Sequence, residues 1–459
     1  MEGVSLAEIQ QWTEADLVGI FDGTWEPIGI STDTRTLVAG ELFCALKGPS
    51  FEGHEFVAQA FAAGACGAIV ERQWAQRDDK NVTSGPLLLV DDPLVALGTV
   101  ARNYRRRFDL PVVAVVGSVG KTTTKEMIAA VLAQRYRVLK TSGTQNNEIG
   151  VPQTLLQLTR CHEAVVLELA ARKKGDIRYL CEVVAPTVGV LLNIGTAHLE
   201  FFGSVEGAAE AKGELLDYLD ESSTVLVNED DCVVAQEVMR TKGRLLGFSL
   251  KRESRYRGEG LILDREGRGR FSLQNFSFSL HIPGKHNVYN ALAAAAVGDI
   301  LQVPWSDMQK ALSSFQPVAM RSDCLRKNEI CVINDSYNAN PDSVKAALEL
   351  LGAMVAEGGR KIAVLGDMLE LGPQGPALHA DIGRRCAALP VDILLTIGPL
   401  SAATAAAAQE GIAPLKQAQH FDDKGQLSQY LASVLQPRDT VLVKASRSIG
   451  LEEVVEQIT

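Results

Sequence analysis

The sequence predicts an α/β protein of three domains: a central, P-loop-type domain with a mainly parallel sheet and helices on both faces, a smaller α/β domain before it, and a Rossmann-like domain after it. Three observations support this class. Residues 111–136 have the pattern of a buried strand, a glycine turn and a helix; strands alternate with helices from about 91 to 316; and another α/β unit covers about 317 to 459. A chain of 459 residues is also too long for one core.

Residues 1–90 are predicted to form the separate first domain, because short strands and helices alternate there ahead of the glycine turn. A polar cluster at 31–35 follows a short apolar stretch, and a glycine-bearing loop at 47–54 follows a predicted strand. Either segment could hold a polar ligand or could be plain turn chemistry. The sequence alone favours neither interpretation.

Residues 111–136, PVVAVVGSVGKTTTKEMIAAVLAQRY, are predicted to bind phosphate. The glycines of the turn let backbone amides approach phosphate oxygens at the positive end of the helix dipole. The lysine would reach the β- and γ-phosphates of ATP, and the threonine after it would ligate Mg²⁺. The predicted nucleotide-binding residues are Gly117, Ser118, Val119, Gly120, Lys121, Thr122 and Thr123.

This loop departs from the common pattern G-x-x-x-x-G-K-[ST], since Val115 takes the place of the first glycine. A Gly-Lys-Thr that starts a helix by chance is the alternative interpretation. The apolar strand before it and the helix after it, which no Gly or Pro interrupts as far as Tyr136, favour nucleotide binding.

Within the central domain, residues 91–316, further polar side chains are predicted at the ends of strands. Glu168 ends the strand at 164–169, and His198 follows the strand at 186–193, so both are expected at the edge of the sheet that carries the glycine turn. A helix with Ser204 as N-cap carries Lys212. A lone Glu or His is usually structural, but Thr122 and Glu168 together suit Mg²⁺ on ATP. Histidine is an unusual ligand of magnesium, so a second ion would need another oxygen donor.

The third domain, residues 317–459, is predicted from its strands and from one capped helix. The strands are expected at 330–333, 361–365, 393–397 and 440–444. Asn340 and the proline after it are typical of a helix start, and the alanine run at 402–408 is expected to be helical surface. The glycine-rich and then alternating segment at 255–282 predicts antiparallel strands that precede the helix at 285–301.

Charge and cysteine content narrow the class of protein. The chain has 45 Lys and Arg against 56 Asp and Glu, a net charge of −11, which argues against a nucleic-acid surface. The basic run at 105–107 is expected to be a solvated helix end. Eight scattered cysteines without a C-x-x-C pair indicate reduced, buried thiols. An acidic N-terminus and the lack of any membrane-length apolar stretch favour a cytoplasmic protein, and the lack of an apolar stripe favours a monomer.

Nine segments of the chain together resemble one enzyme family, the Mur ligases of peptidoglycan synthesis. The resemblance covers nearly the whole chain. The segments are GSVGKTTTKE from Gly117, NNEIGVPQTLL from Asn146, Glu168 with GDI from Gly175, NIGTAHLEFFGS from Asn193, AKGE from Ala211, HNVYNALAAAA from His286, DSYNANPDS from Asp335, LGDMLELG from Leu365 and VKASRS from Val443.

The resemblance implies an ATP-dependent ligase of cell wall biogenesis, cell shape and cell division. DSYNANPDS and LGDMLELG are the most specific segments, and they indicate the branch that adds D-alanyl-D-alanine to UDP-N-acetylmuramoyl-tripeptide through an acyl phosphate. Two alternatives are another Mur-type ligase with a different acceptor or donor, and a nucleotide-gated binding module that is not an enzyme. A second metal site disfavours the binding module, because a switch does not need one.

The resemblance also implies catalytic and metal-binding roles. Lys121 would bind the phosphates, and His198 and Lys212 would join it as catalytic residues. Thr122 and Glu168 would hold one Mg²⁺, and His198 and Lys212 would hold a second. CO₂ would convert Lys212 to a carbamate, which provides the oxygen ligand that the bare sequence lacks.

The remaining contacts implied by the resemblance lie on all three domains. Asn287 would contact adenine, and Arg321 and Asp335 would contact phosphate and ribose. The first domain would hold the uridine nucleotide, and the third would hold the dipeptide. The substrate-binding residues implied are Ser31, Arg35, Gly48, His54, Asn147, Asn338, Asn340, Lys444 and Arg447.

Some positions depart from the family pattern. Residues 170–174, AARKK, replace a glycine and a small polar residue, which affects the local contact to substrate. Val119 replaces a frequent Asn, Ala445 replaces a frequent Gly, and Met320 stands where a glycine normally precedes Arg321. None of these changes removes a group that the chemistry requires.

Overall fold

The computed structural model describes residues 1–19, 24–48, 51–76, 85–355, 358–410 and 415–459. Pro49 and Ser50, in the glycine-bearing loop, lie outside the described residues. The chain divides into two compact units: the first is Met1–Ala114, Arg135–Ala171 and Gly175–Gly189, and the second is Val115–Gln134, Arg172–Lys174 and Val190–Thr459. The domain boundaries near 90 and 316 stay predictions.

The described residues among the first 110 form four α-helices and a five-stranded sheet. Its strands follow the order β1-β7-β6-β3-β2, with β1 antiparallel to β7 and the other pairs parallel, while β4 and β5 form a separate hairpin. Phe43, Val57 and Leu87 lie in its core. The elements are α1 (Leu6–Thr13), β1 (Asp16–Val18), β2 (Ile30–Ser31), β3 (Leu42–Cys44), β4 (Lys47–Gly48), β5 (Phe51–Glu52), α2 (Val57–Ala62), β6 (Gly67–Glu71), α3 (Arg72–Ala75), β7 (Leu87–Val90) and α4 (Pro93–Arg105).

The central part of the chain contains the predicted strand–turn–helix and the predicted antiparallel strands. The elements are β8 (Val112–Val116), α5 (Lys121–Leu132), β9 (Val138–Lys140), α6 (Gly150–Leu155), β10 (Ala164–Glu168), α7 (Asp176–Val184), β11 (Val188–Leu191), α8 (Leu199–Phe202), α9 (Val205–Tyr218), β12 (Thr224–Asn228), α10 (Cys232–Glu237), β13 (Arg244–Ser249), β14 (Tyr256–Arg257), β15 (Glu259–Leu263), β16 (Arg268–Leu273), β17 (Phe276–Pro283) and α11 (Lys285–Ile300). One sheet has the order β14-β13-β12-β11-β8-β10-β9, and β15-β16-β17 form an antiparallel sheet. Helix α5 ends at Leu132, not at Tyr136, because residues 133–135 are exposed and no apolar side chain there extends its buried face.

The C-terminal domain, which we define as residues 323–459, is a mainly parallel sheet between two helical layers. Its elements, after α12 (Trp305–Ser313), are β18 (Asp323–Lys327), β19 (Ile330–Asn334), α13 (Pro341–Ala353), β20 (Lys361–Gly366), α14 (Gly375–Ala388), β21 (Ile393–Ile397), α15 (Ser401–Gln409), β22 (Gln417–Phe421), α16 (Lys424–Val434), β23 (Thr440–Lys444) and α17 (Glu452–Ile458). The order is β18-β19-β23-β20-β21-β22, and only β18 is antiparallel to its neighbour.

Alternate residues of the buried strands face opposite layers of this domain. Ala363 and Leu365 of β20 pack in the core with α13 and α14, whereas Ile362 and Val364 pack in the core with α16 and α17. Asn340 caps α13 in a capping box with Ser343, as its position before Pro341 predicts. No helix in the described ranges is both long and apolar enough to cross a membrane.

The structure corrects three expectations about burial. Arg105 is buried, not solvated, because its guanidinium donates to the carbonyl oxygen of Phe108 at 2.7 Å. Part of the alanine run at 402–408 is buried, since α15 packs closely on α14. The eight cysteines are free thiols, but Cys161 and Cys232 are exposed.

Two helix-interior glycines provide a matched test of this packing. A Cβ at Gly383 in α14 would lie 2.2 Å from the carbonyl oxygen of Thr404, whereas a Cβ at Gly352 in α13 would meet nothing closer than 3.4 Å. We expect Gly383→Ala to lower the free energy of unfolding by about 1–3 kcal/mol through overpacking. Gly352→Ala should raise it by up to about 1 kcal/mol, because alanine favours the helix. Urea unfolding of the two variants and the parent checks this, and equal midpoints for all three would contradict it.

Candidate functional site

The glycine turn between β8 and α5 is held in place by Asn193, which follows β11. Asn193 Oδ1 accepts hydrogen bonds from the amides of Ser118 at 3.0 Å and Val119 at 2.8 Å, and Asn193 Nδ2 donates to the carbonyl oxygen of Val119 at 2.9 Å. Ser118 Oγ in turn accepts from the amide of Gly195 at 2.8 Å. The turn is therefore ordered by side-chain bonds from the neighbouring loop, and α5 presents its first amides beyond it.

A second set of bonds ties the start of α5 to α11. Gly120 has φ +82°, and a Cβ there would lie 2.8 Å from Asn290 Oδ1. Thr124 Oγ1 donates to that same oxygen at 3.0 Å, and Asn290 Nδ2 donates to Asn287 Oδ1 at 2.9 Å. Asn287 Nδ2 donates to the carbonyl oxygen of Pro283 at 2.7 Å, so its amide is engaged within the protein. Its contact with adenine stays a prediction.

Lys121 and Thr122 begin α5 and lie against the turn. Lys121 Nζ donates to the carbonyl oxygen of Gly117 at 2.8 Å, so its ammonium lies over the loop where phosphate would bind. Thr122 is buried, and Thr123 is half-buried. The loop therefore combines a cation, helix-start amides and a buried hydroxyl, which is the set that a nucleotide phosphate requires.

His198 is presented by an unusual backbone conformation before α8. It has φ +60°, a left-handed value that is uncommon for a residue other than glycine. Its Nδ1 lies 2.5 Å from Glu370 Oε2, and its side chain is 25% exposed. Burial lowers the pKa of His198, and the charges of Lys121 and Lys212 act in the same direction, while Glu370 opposes them.

Lys212 is buried in α9 with an amine that has no hydrogen-bond partner among the described residues. Its Nζ lies 4.3 Å from the centroid of the Phe202 ring. Burial lowers the pKa of Lys212 to about 7, and the charge of Lys121 adds to this effect. A large fraction of this amine is therefore neutral near pH 7, unlike that of an ordinary lysine.

Lys121, His198 and Lys212 all lie in the second unit. They are close enough for both lysines to lower the pKa of His198, and for Lys121 to lower the pKa of Lys212. Glu168 belongs to the first unit, where it ends β10. It is buried, and its Oε1 accepts from Asn146 Nδ2 at 2.7 Å. Asn147, in the same unit, uses its Oδ1 to accept from the amide of Gly150 at 3.0 Å, so it orders the start of α6.

In the C-terminal domain, the half-buried Asp335 pairs with the buried Lys444. Lys444 Nζ donates to Asp335 Oδ2 at 2.6 Å and to the carbonyl oxygen of Asn338 at 2.8 Å. Asp335 Oδ1 accepts from the amide of Ser322 at 2.9 Å. These bonds fix the chain where it enters the C-terminal domain, and the ribose contact of Asp335 stays a prediction.

Two predicted cationic residues lie near the ring of Tyr337. The guanidinium carbon of Arg321 is 4.1 Å from the Tyr337 ring centroid, and that of Arg447 is 5.8 Å from it. Arg447 also donates to Glu452 at 2.8 Å. Asn340 uses its side chain as the N-cap of α13, so only part of its hydrogen-bonding capacity remains for a substrate.

The candidates in the first domain form turn and packing contacts. Ser31 Oγ donates to the carbonyl oxygen of Asp33 at 3.1 Å. Arg35 donates to the Asp33 carboxylate and lowers its pKa to about 2. His54 is buried: its Nδ1 lies 2.5 Å from Glu52 Oε1 and its Nε2 accepts from the amide of Glu71 at 3.0 Å.

In this arrangement both ring nitrogens of His54 are engaged within the domain. Gly48 lies against the Phe51 ring, where a Cβ would be 2.3 Å from a ring carbon. A role for these four residues with the uridine nucleotide stays a prediction.

Three functional side chains were not singled out from the sequence: Asn193, Asn290 and Glu370. Each lies in a segment that carries the family resemblance, but a polar residue in a motif does not reveal its partner. Asn193 and Asn290 act on the glycine turn from loops and helices more than 70 residues away, at separations of 74 and 166 residues. Only the folded chain shows these contacts.

The described residues contain no group of three or more His, Cys, Asp and Glu side chains with metal-site geometry. The predicted magnesium ligands instead include the Thr122 hydroxyl and the carbamate form of Lys212. The buried, unpartnered amine of Lys212 suits a reaction that gives it oxygen atoms. These residues therefore fit magnesium on a nucleotide phosphate and do not fit a closed protein cage.

Three family models match the chain. Residues 28–138 match "Mur ligase family, catalytic domain", residues 115–298 match "Mur ligase middle domain", and residues 320–447 match "Mur ligase, glutamate ligase domain". Among curated relatives, the UDP-N-acetylmuramoyl-tripeptide--D-alanyl-D-alanine ligase of Synechocystis is 38% identical over 99% of this chain and 97% of the relative. The Escherichia coli protein of the same name is 36% identical over 100% of this chain and 99% of its own length.

Two solved structures share this fold over most of both chains. The structure titled MurF from Acinetobacter baumannii superposes with a TM-score of 0.88 at 32% identity, covering 98% of this chain and 97% of that one. The MurF ligase of Thermotoga maritima in complex with ADP has a TM-score of 0.82 at 30% identity, covering 94% and 96%.

The buried amine of Lys212 predicts a pH-dependent stability. The unfolded state binds more protons between the folded pKa of about 7 and the ordinary value of 10.5, so stability should rise with pH through this window. We expect Lys212→Met to be more stable than the parent below pH 7, by at most about 5 kcal/mol, with the gap closing toward pH 10. Denaturant unfolding in CO₂-depleted buffer measures it. The control is Lys310→Met, at a side chain that is 75% exposed, and a gap that does not change with pH would contradict the prediction.

Proposed function

This chain belongs to the Mur ligase family, and from that premise we propose that it joins D-alanyl-D-alanine to UDP-N-acetylmuramoyl-tripeptide at the expense of ATP. The relatives that match its full length carry the name of this ligase. The observation that supports the proposal is a glycine turn, held by Asn193, beside three residues whose charges affect one another: Lys121, His198 and Lys212. The product is a precursor of peptidoglycan.

The first task of the site is to bind a triphosphate. Asn193 holds the amides of Ser118 and Val119, so the turn keeps its shape while the first amides of α5 point beyond it. Lys121 would move from the carbonyl oxygen of Gly117 to the β- and γ-phosphates. Its charge stabilises the phosphoryl group during transfer.

The second task is to activate a carboxylate, which is a poor electrophile. The terminal carboxylate of the tripeptide attacks the γ-phosphorus of ATP, forming an acyl phosphate and releasing ADP. The neutral amine of D-alanyl-D-alanine then attacks the acyl carbon, loses a proton, and inorganic phosphate leaves as the amide forms. Because both partners of the first step are anions, the cations around the turn lower the repulsion between them.

Magnesium, when bound, would neutralise phosphate charge and polarise the reacting oxygens, and the residues assigned to two ions are Thr122 with Glu168 and His198 with Lys212. The Thr122 hydroxyl and the Glu168 carboxylate are both buried, as expected for groups that give oxygen ligands to a dehydrated site. His198 would bind the ion through Nε2, because Nδ1 is hydrogen-bonded to Glu370.

Carbamylation would turn Lys212 into an oxygen donor. The neutral amine attacks CO₂, and the resulting carbamic acid releases a proton to give a carbamate with two oxygens. A neutral amine is needed for this step, and the pKa of Lys212 near 7 provides it at cytosolic pH. The lack of any hydrogen-bond partner for Nζ within the described chain leaves the nitrogen open to attack CO₂.

The remaining assignments place ATP and the substrates on different domains. Asn287 is assigned to adenine, Arg321 and Asp335 to phosphate and ribose, and Asn147 to the substrate on the central domain. The first domain is assigned to the uridine nucleotide, and Asn338, Asn340, Lys444 and Arg447 to the dipeptide. Since water hydrolyses an acyl phosphate, dividing the ligands among domains lets their assembly exclude solvent. We propose that the reaction takes place in the cytoplasm, where ATP is available, and that the protein is a monomer.

Phosphate release tests the proposed reaction. We expect release only when ATP, UDP-N-acetylmuramoyl-tripeptide and D-alanyl-D-alanine are all present. Lys121→Ala should lower kcat by about 100-fold or more, because a charge that stabilises the transferring phosphoryl group is lost. Lys310→Ala, at an exposed side chain, is the matched control.

Different outcomes of this assay separate the alternatives. Release that needs another amino acid or dipeptide would indicate a different Mur-type ligase. Nucleotide binding without any release would indicate a binding module, and release with ATP alone would also refute the ligation reaction.

The carbamate has its own test. Lys212→Ala should lose most turnover, and short carboxylic acids such as acetate should restore part of it by placing an oxygen anion in the space of the carbamate. In the parent protein, ¹³CO₂ should give a carbamate ¹³C signal that the variant lacks. Intact turnover in Lys212→Ala, or lost turnover that no short acid restores, would rule the carbamate out.

A further inference from the structure

The C-terminal domain contributes a carboxylate that contacts His198. It comes from a segment to which the proposed mechanism gives no role. Glu370 lies in the loop after β20, and its Oε2 is 2.5 Å from His198 Nδ1. Its backbone joins the same contact, since the carbonyl oxygen of Glu370 accepts from the amide of Glu200 at 3.0 Å. Both ends of this contact lie in the second unit. One short loop of the C-terminal domain therefore meets both His198 and the helix that follows it.

The loop that carries Glu370 is held by buried side chains. His379 Nε2 accepts from the amide of Met368 at 3.0 Å, and its Nδ1 donates to the carbonyl oxygen of Gly375 at 2.8 Å. Ser446 Oγ accepts from the amide of Leu369 at 2.9 Å. The position of Glu370 is thus fixed by its own domain before it meets His198.

The Asp367 carboxylate anchors the start of the same loop. Its Oδ1 accepts from the amide of Ser401 at 2.7 Å, and the Asp367 carbonyl oxygen accepts from the amide of Ser446 at 3.0 Å. Asp367, His379 and Ser446 are each no more than 5% exposed. Because these buried residues bond to it on each side, the loop has little freedom to reorient.

Both residues of the contact have a strained backbone. His198 and Glu370 each have φ +60°, in the left-handed region. Such values persist in residues other than glycine only where the surroundings determine them, and they concentrate at functional sites. Two strained residues that place their side chains against each other indicate a geometry that the fold maintains.

A second carboxylate of the C-terminal domain holds the other end of the segment. Asp342 Oδ2, in α13, accepts from the Thr196 amide at 2.7 Å and from Thr196 Oγ1 at 2.9 Å. A Cβ on Gly195 would lie 2.1 Å from the same oxygen, so glycine allows this close approach. The C-terminal domain therefore holds residues 195–200 by hydrogen bonds to Thr196 and to His198.

We propose that Glu370 is a positioning residue. Its carboxylate accepts a hydrogen bond from Nδ1–H of His198, and this bond fixes the tautomer and ring orientation in which Nε2 faces the reacting groups. Carboxylates that bind the second nitrogen of a functional histidine have this effect generally. Because Glu370 comes from the C-terminal domain, the histidine is aligned only when that domain contacts the central one. The effect of this role on catalysis rests on the proposed ligase function. The hydrogen bond between Glu370 and His198 does not depend on that function.

Kinetics of three variants test the role. Glu370→Ala should lower kcat by about 10- to 100-fold with little change in the KM for each substrate, the loss typical of removing such an outer carboxylate. Glu370→Gln should retain most of the activity, because its amide oxygen still accepts from Nδ1. The control is Glu453→Ala, which breaks an exposed ion pair with Lys424 on the same domain and should leave kcat unchanged. An unchanged kcat in Glu370→Ala, or equal losses in the Ala and Gln variants, would overturn the proposal.

The ring nitrogens of His198 give a measurement that needs no substrate. The chain has seven histidines, so ¹⁵N-histidine spectra of the protein without ligands are tractable, and the spectrum of His198→Gln identifies the two signals that belong to this ring. We expect the Nδ1–H tautomer in the parent and in Glu370→Gln, and a shift toward the Nε2–H tautomer in Glu370→Ala.

Unchanged His198 signals in Glu370→Ala would refute the contact whatever the activity. If the parent protein shows the contact but releases no phosphate with all three substrates, it is the proposed function that fails, so the two failures are distinguishable.

Discussion

The site depends on the side-chain amide of Asn193, because this group accepts hydrogen bonds from two amides of the glycine turn and donates one back to the turn. A phosphate loop must be ordered before its ligand arrives, yet the amides that meet phosphate must stay exposed. Asn193 satisfies both needs by bonding to Ser118 and Val119 and leaving the start of α5 beyond them. It lies on the segment that continues to His198, so the same stretch of chain shapes the phosphate site and delivers the histidine.

Two lysines share this site, and their surroundings differ. Lys121 Nζ donates to the carbonyl oxygens of the turn at Gly117 and Ser118. Among the described residues Lys212 Nζ has no such oxygen, so burial and the charge of Lys121 favour its neutral form. Lys121 is thereby placed over the turn where phosphate would bind, whereas Lys212 is kept as an amine that can react. This division follows from the partners of each side chain and not from residue type.

The sequence predicted the elements better than the contacts. The strand–turn–helix at 111–136 was evident because apolar β-branched residues, glycines and an uninterrupted helix each leave a local pattern. The N-cap at Asn340 was equally local. The end of α5 was misplaced because exposure of residues 133–135 is a tertiary property, and Arg105 was misjudged because carbonyl oxygens that satisfy a buried guanidinium have no sequence signature. Lys212 was identified only by resemblance, since its low pKa comes from neighbours distant in the chain.

The contacts made by the C-terminal domain suggest why two carboxylates, Asp342 and Glu370, converge on one short segment. An acyl phosphate that forms before the amine arrives would be lost to water, so activation is best delayed until the dipeptide is present. The domain assigned to the dipeptide also holds the segment at Thr196 and His198. If that domain were absent or turned away, His198 would lose its partner and its left-handed backbone would lose the bonds that maintain it. If the C-terminal domain binds the dipeptide as proposed, delivery of the nucleophile and alignment of His198 follow from the same contact between domains.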